Sequence, residues 1–390
     1  MKYIIEGGRK LIGETLVSGS KNASLPILAA SLLSGSITKL YNVPNIHDTQ
    51  MTIKILRLLG CKVAKKGNKV VIDSKMARGY EIPEDLMRQM RSSVILAGAL
   101  VGRFKKATFT CPGGCDLGKR PIDLHLKGLR GLGINISEEG KSIYCTADEI
   151  IGTKIELEFP SVGATENIML AAVLADGETI ISNAAKEPEI CDLETCLNKM
   201  WAKVSGSGTS TIKIVGVKKL KDTSHHIMPD RIEAGTLLAA GAITKGKITL
   251  KNVIPEHLTP VLHKLEECGC KLCINKNSII LEAPKRLNKT EIETMPYPGF
   301  PTDMQSVFVS LLCVSKGTST VVENIFENRY KYVNELKKMG AKISIEGKTL
   351  KISGVKKLKG TEVLATDLRG GAAEVVARFS SKRKNKSKQY

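Results

Sequence analysis

One passage recurs along the 390 residues and limits what the chain can fold into: a polar or charged start, an apolar helix-like run, a small-residue turn and a β-rich stretch. Copies begin at Ser20 ("SKNASLPILAASLLSGSITKLYNV"), near Ser92 ("SSVILAGALVGRFKKATFTCP"), at Val162 ("VGATENIMLAAVLADGETIISNAA"), at Asp230 ("DRIEAGTLLAAGAITKGKITLKNV") and at Thr302 ("TDMQSVFVSLLCVSKGTSTVVENI"), and a sixth opens at Asp367. Amphipathic helices closed by glycine follow, as in "LRLLGC", "LRGLGI", "LEECGC" and "LKKMGA". A period of about seventy residues exceeds that of solenoid units, so each copy is expected to be a small βαβ-type layer of an α/β fold.

A coarser repeat lies above this one. "IKIVGVKKLKDTSHHIMPDRIEAG" from Ile212 resembles "LKISGVKKLKGTEVLATDLRGGAA" from Leu350, and "YIIEGGRKLIGETLVSGSKN" from Tyr3 has the same shape. Two domains of three units each are therefore predicted, residues 21–229 forming one and residues 1–20 with 230–377 the other. A ligand site is expected between them, where clefts favour binding.

The sixth copy departs from the pattern after "DLRGGAAEVVA". Residues 378–390, "RFSSKRKNKSKQY", carry six positive charges, no acidic residue and no apolar period. This reads either as a solvated basic tail or as the product of a shifted frame. Written in permitted codons and relieved of one base, the segment translates as GLAAKGKTKVNN with two bases left that begin an Ile codon, and GLAAKGKTKVNNI restores the pattern of "AITKGKITLKNVI". On the second reading the sixth unit is incomplete.

Composition narrows the function. A hydrophobic content of 42% with 25% charged residues is that of an ordinary globular protein. No run of about eighteen apolar residues occurs, and the start lacks a secretory pattern, which predicts a cytoplasmic protein without a membrane association. The ten cysteines read as reduced thiols, most of them small core residues. A formal charge of +20 suits polyanionic partners. With only 4% aromatic residues, stacking platforms for nucleic acid are scarce, and small anionic substrates are preferred.

The chemistry concentrates in "TCPGGCDLGKRPIDLH", where Cys115 lies among glycines close to Lys119 and Arg120. Such a thiol is expected to be accessible and acidified, fit to act as a nucleophile or a general acid. Charged residues also recur near the starts of the apolar helices: Lys21 with Asn22, Arg91, Asp230 with Arg231, Asp303, and Asp367 with Arg369. One such charge is ordinarily solvated surface. Their recurrence at helix N-termini, with free backbone N–H groups beside them, points to a polyanion site. "CGCKLC" lacks a second metal-ligand pair, so no metal is assigned and Cys270 is read as core. No glycine stretch fits a nucleotide-cofactor motif, and no cofactor is assigned. His225 and His226 are read as a surface turn.

"GSKNASLPILAASLL", "PGGCDLGKRPIDLH", "FPSVGATENIMLAA", "NAAKEPEI", "PYPGFPTDMQ", "ENRY" and "ATDLRGGAA" together resemble the enolpyruvyl transferases, specifically the UDP-N-acetylglucosamine 1-carboxyvinyltransferases of peptidoglycan synthesis, from Met1 to about Ala377. The resemblance implies a two-domain inside-out α/β barrel built from six βαβαββ repeats. It implies transfer of enolpyruvyl from phosphoenolpyruvate to the sugar 3′-hydroxyl with release of phosphate, small-molecule substrates only and no obligate protein partner. By the same resemblance Cys115 is the general acid and covalent adduct site, open to alkylation by fosfomycin. Asp303 is the base for the sugar hydroxyl, Asn22 orients it, and Asp367 supports the reaction. Lys21, Arg91, Arg120, Arg329 and Arg369 surround phosphate and carboxylate. The segments Arg120, Pro121, Ile122, Asp123 and Leu124, and Ser161, Val162 and Gly163, hold the uridine diphosphate, with Ile325 near the uracil. A further phosphate-binding arginine of the family falls beyond Ala377 and has no equivalent here. Losing that contact would cost about 1.5–3 kcal/mol, and losing the closing elements more, so the chain as written is expected to be inactive or barely stable. Other readings are a shikimate-pathway transferase, against which the cysteine loop argues, or a catalytically dead family-derived binding or regulatory protein.

Overall fold

Helices buried on every side decide the architecture. In Lys21–Leu33 every residue from Ala23 onward is buried, in Val162–Ala172 every residue from Ala164, and in Thr302–Leu312 every residue from Met304. A helix apolar all round has to sit inside the protein. The computed structural model describes residues 2–111, 122–381 and 384–388, and these divide into two compact units, Ser18 to Met228 forming one and the residues up to Val17 and from Pro229 onward the other.

Each unit has three central helices packed on one another: Lys21–Leu33, Leu96–Phe104 and Val162–Ala172 in one, Arg231–Ile243, Thr302–Leu312 and Leu368–Phe379 in the other. Around each trio lie three small sheets. Their strands alternate exposed and buried residues, as Thr211–Val215 does, because one face covers helices and the other meets water. This is the inside-out arrangement that the family resemblance implies.

The sheets share a plan. A strand leaving a central helix pairs in parallel with one neighbour and antiparallel with a hairpin partner: Lys247–Lys251 pairs in parallel with Ile12–Leu16 and antiparallel with Ser278–Glu282. Ile37–Tyr41 does the same with Thr223–His226 and Lys69–Asp73. The turn between helix and strand has a left-handed residue at one recurring place, Gly35, Lys105, Gly177, Lys245 or Gly317. The glycines expected to end helices also have positive φ, between 82° and 96° at Gly60, Gly133, Gly269 and Gly340. Trp201 takes that place after Pro188–Lys199, with φ 73°.

One expectation is corrected. His225 does not lie in a surface turn: it belongs to the strand Thr223–His226, is 3% exposed, and its Nε2 lies 2.9 Å from Asp192 Oδ1. Pairing with Ile37–Tyr41 turns alternate side chains inward, which a search for local turn residues does not register. Past the point where the side-chain pattern departs, regular backbone elements continue among the described residues. The last helix runs to Phe379, and Lys384–Lys388 lies between Lys2–Glu6, antiparallel, and Val363–Leu364, parallel. Ladder hydrogen bonds use main-chain groups, so a strand slot can be filled without an apolar period.

Cys268, Cys270 and Cys313 are buried in the core of the Asp303 unit, and burial pushes each thiol up to about 12. Among the described residues no helix is long and apolar enough to cross a membrane.

Candidate active site

The helix Thr302–Leu312 starts immediately after Pro301, which places Asp303 in its first turn, where exposed backbone N–H groups favour a carboxylate. Two arginines from other parts of the same unit reach it. Arg329, 3% exposed, comes from the segment between the strand Thr318–Val322 and the helix Val333–Lys338, and its NH2 donates to Asp303 Oδ1 at 2.7 Å. Arg369, in the first turn of Leu368–Phe379, donates to Oδ2 at 2.5 Å.

The position of Arg369 is fixed from two sides. Asp367 caps its helix, Oδ1 accepting from the Arg369 and Gly370 N–H groups at 2.9 Å each. Ser306 Oγ donates to the Arg369 carbonyl at 2.9 Å and Ser310 Oγ to that of Ala373 at 2.8 Å, so the two helices are tied one turn apart. Asp230 caps the third central helix in the same way, through Ile232 and Glu233, and it acts with Arg231 on the charge of Arg369.

Burial alone would raise the Asp303 carboxyl, but Arg369 and then Arg329 more than reverse this and hold it well below the usual carboxylate range. In that clamp Asp303 is a weak base. The Arg329 Nε–H is buried and has no hydrogen-bond partner among the described residues.

In the other unit Lys21 is the first residue of its helix, capped by Ser20, whose Oγ accepts from the Ala23 N–H at 3.2 Å. Its Nζ lies 2.7 Å from Asp48 Oδ2, and Asn22 beside it is half-buried. Ser161 caps Val162–Ala172 through the Ala164 N–H. A Cβ on Gly163 would come within 2.8 Å of the His125 ring, so glycine is needed for that close approach. His125 in turn faces Asn167 at 2.8 Å, whose Oδ1 accepts from the Gly98 N–H at 2.6 Å. Ile122 precedes the helix Asp123–Gly131, with Asp123 exposed and Leu124 half-buried. Arg91 opens the short helix Arg91–Ile95; its side chain, and the whole of Cys115, Arg120 and Pro121, lie outside the described residues.

The sequence reading passed over Asp48, Thr302, Ser306 and Glu323. Glu323 carried a legible signal. It follows its strand at the place where Asn42, Asn183 and Asn252 follow theirs.

Comparison with known proteins identifies the family. The sequence profile of EPSP synthase (3-phosphoshikimate 1-carboxyvinyltransferase) matches residues 5–384. The chain is 52% identical to UDP-N-acetylglucosamine 1-carboxyvinyltransferase 2 of Caldanaerobacter subterraneus subsp. tengcongensis, over 96% of this chain and 90% of that one. It is 47% identical, over the same shares, to UDP-N-acetylglucosamine 1-carboxyvinyltransferase of Geobacter metallireducens. Among solved structures, the enolpyruvyl transferase NikO of Streptomyces tendae superposes with a TM-score of 0.89 at 22% identity, over 98% of this chain and 92% of that one. EPSP synthase of Acinetobacter baumannii superposes at 0.77 with 19% identity, over 99% and 93%. At these identities the two structures speak for the fold. The chain belongs to the EPSP synthase family of enolpyruvyl transferases.

Proposed function

We propose that this protein transfers the enolpyruvyl group of phosphoenolpyruvate to the 3′-hydroxyl of UDP-N-acetylglucosamine, releasing phosphate, as a cytoplasmic enzyme of peptidoglycan synthesis. The observation that carries the reading is the pairing of one carboxylate, Asp303, with two buried or half-buried guanidinium groups, Arg329 and Arg369, in a chain whose relatives at 47–52% identity bear the name of that activity.

The chemistry requires a base for the sugar hydroxyl and cations for an anionic donor. In this reading Asp303 takes the hydroxyl proton as the sugar oxygen bonds to the donor's central carbon, and Asn22 orients the acceptor. Cys115 supplies the proton to the terminal methylene carbon, and as phosphate leaves that carbon gives a proton back, restoring the double bond; when the sugar is absent the Cys115 thiolate adds to the central carbon instead, as the covalent adduct, and the same thiolate would open the epoxide of fosfomycin. Lys21, Arg91, Arg120, Arg329 and Arg369 bind phosphate and carboxylate, whose charge changes as phosphate leaves. Ser161 to Gly163 and residues 120–124 hold the uridine diphosphate. Asp367 acts through Arg369, whose helix it caps. An anionic donor competing for Arg329 and Arg369 would loosen the clamp on Asp303, so donor binding would raise its basicity when a base is required.

The test is phosphate release from phosphoenolpyruvate by the purified chain with either of two acceptors. Release with UDP-N-acetylglucosamine supports the reading. Release only with shikimate 3-phosphate would transfer the assignment to the activity for which the family is named, and nucleotide-sugar binding without release from either acceptor would favour a regulatory descendant.

A further inference from the structure

A side chain that breaks the repeat sits between two parts of the acceptor site. In three units an asparagine follows the strand that leaves the central helix, in left-handed conformation: Asn42, Asn183 and Asn252. Each donates its side-chain amide to the carbonyl just past the neighbouring parallel strand, Asn42 to Ile227 at 3.0 Å, Asn183 to Leu157 at 2.7 Å and Asn252 to Val17 at 2.8 Å. This is a structural stitch, made the same way each time. After Thr318–Val322 the residue is Glu323, and the polarity reverses.

Glu323 is 2% exposed, and its carboxylate accepts from four donors among the described residues. Oε1 accepts from Thr294 Oγ1 at 3.0 Å, from the Ile325 N–H at 2.9 Å and from the Phe326 N–H at 3.1 Å. Oε2 accepts from Thr302 Oγ1 at 2.9 Å. Thr294 lies just past the parallel strand Glu291–Glu293; its hydroxyl also accepts from the Asn324 N–H at 2.9 Å, and its carbonyl accepts the side-chain amide of Asn324 at 3.4 Å, so the amide stitch has moved one residue on. The other contacts are new. They lead to the segment bearing Ile325 and to the residue before Asp303.

We propose that Glu323 is a positioning residue for the acceptor substrate, one carboxylate setting both the loop that presents Ile325 and the start of the helix that presents Asp303. This rests on the functional reading above, which has Asp303 take the proton of the 3′-hydroxyl, and on the family resemblance, which puts Ile325 near the uracil. Charge-assisted hydrogen bonds to backbone N–H groups order a loop strongly. Ordering it from the same carboxylate that holds Thr302 puts the two ends of the nucleotide sugar in one register.

The experiment measures the Kd of UDP-N-acetylglucosamine by calorimetry, and kcat and both KM values by phosphate release, in wild type, Glu323→Ala, Glu323→Gln and Thr302→Val. Glu323→Ala is expected to weaken nucleotide-sugar binding about tenfold while KM for phosphoenolpyruvate stays within about twofold. Glu323→Gln should restore most of the affinity, its amide oxygen facing the two N–H groups and its NH2 facing Thr302. Thr302→Val, which removes only the arm toward the helix, should lower kcat about fivefold with little change in Kd. Unchanged Kd in Glu323→Ala, with loss of thermal stability alone, would reduce Glu323 to a structural residue. If Glu323→Ala does not fold, an unaltered kcat in Thr302→Val overturns the coupling instead. A wild type that binds no UDP-N-acetylglucosamine overturns the functional reading and this proposal together, whereas a binding wild type with an equally binding Glu323→Ala overturns this proposal alone.

Discussion

Arg329 donates to Asp303 across 2.7 Å while 3% exposed, so this ion pair is shielded from water on the arginine side. Replacing the carboxylate by an amide keeps its shape and removes the base. Asp303→Asn should lower turnover by about 10²–10⁴-fold, with nucleotide-sugar affinity changed far less, as read by phosphate release and calorimetry. Because the folded carboxyl is held below its unfolded value, the pair's stabilisation is fully present above about pH 4 and is lost only as the solution is made more acidic.

The last helix holds the opposite case. Glu374 and Arg378 are each 1% exposed and lie 3.7 Å apart, and Glu374 Oε1 and Oε2 and Arg378 Nε and NH2 have no hydrogen-bond partner among the described residues. Burial, against the pull of Arg378 and Lys338 and with the push of Glu335 and Asp367, brings Glu374 up to about 8. A carboxyl raised on folding stabilises below its unfolded value near pH 4.5 and loses that contribution as pH climbs toward 8. Denaturant melts are therefore expected to show stability falling between about pH 5 and 8, by up to about 1.4 kcal/mol per unit.

The helix Arg231–Ile243 shows the alternative. Counted from its capping Asp230, it has Leu237 and Gly241 where the Asp367-capped helix has Glu374 and Arg378. Glu374→Leu with Arg378→Leu should stabilise the protein by about 1–4 kcal/mol and flatten the pH dependence. A double variant less stable than wild type at pH 8 would contradict this account.

Replacing residues 378–390 by GLAAKGKTKVNNI also removes Arg378 from the core. A higher melting temperature and faster phosphate release are expected. Equal values in both chains would show that the present segment serves as well.

Lys21 and Asp48 are each 24% exposed, a pair whose stabilising value is about 1 kcal/mol or less. Lys21→Ala should leave the melting temperature nearly unchanged and raise KM for phosphoenolpyruvate at least tenfold. A melting temperature that collapses with KM unchanged would make the lysine structural.

Gly163→Ala should act through packing. The added methyl meets His125 at 2.8 Å, and displacing that ring disturbs Asn167 and Gly98. A loss of about 1–3 kcal/mol is expected, together with a raised KM for the nucleotide sugar, because the Ser161–Gly163 turn must move.

Much of this was legible in the order of residues. A period of 3.6 within a period of about seventy announces helices and layers together, and an apolar run with no polar stripe announces a helix with neighbours all round, as in "KNASLPILAASLL". Glycines after amphipathic helices marked their ends because only a residue without Cβ adopts the left-handed turn cheaply, although Trp201 shows that packing can override the preference. The charges at helix starts could be found by comparing copies.

What the copies could not disclose is which of those charges meet. Asp303, Arg329 and Arg369 are far apart in sequence, and their contact depends on two helices tied by Ser306 and Ser310. Nor does local pattern say that Arg378 of a basic stretch is buried, that His225 faces inward, or that Glu323 grips four groups at once. Sequence alone determined the repeat, the element types and the candidate charges, because those follow from periodicity and backbone chemistry. Tertiary structure decided the partners, since hydrogen bonds and ion pairs act over a few ångströms and only packing brings distant residues within that range.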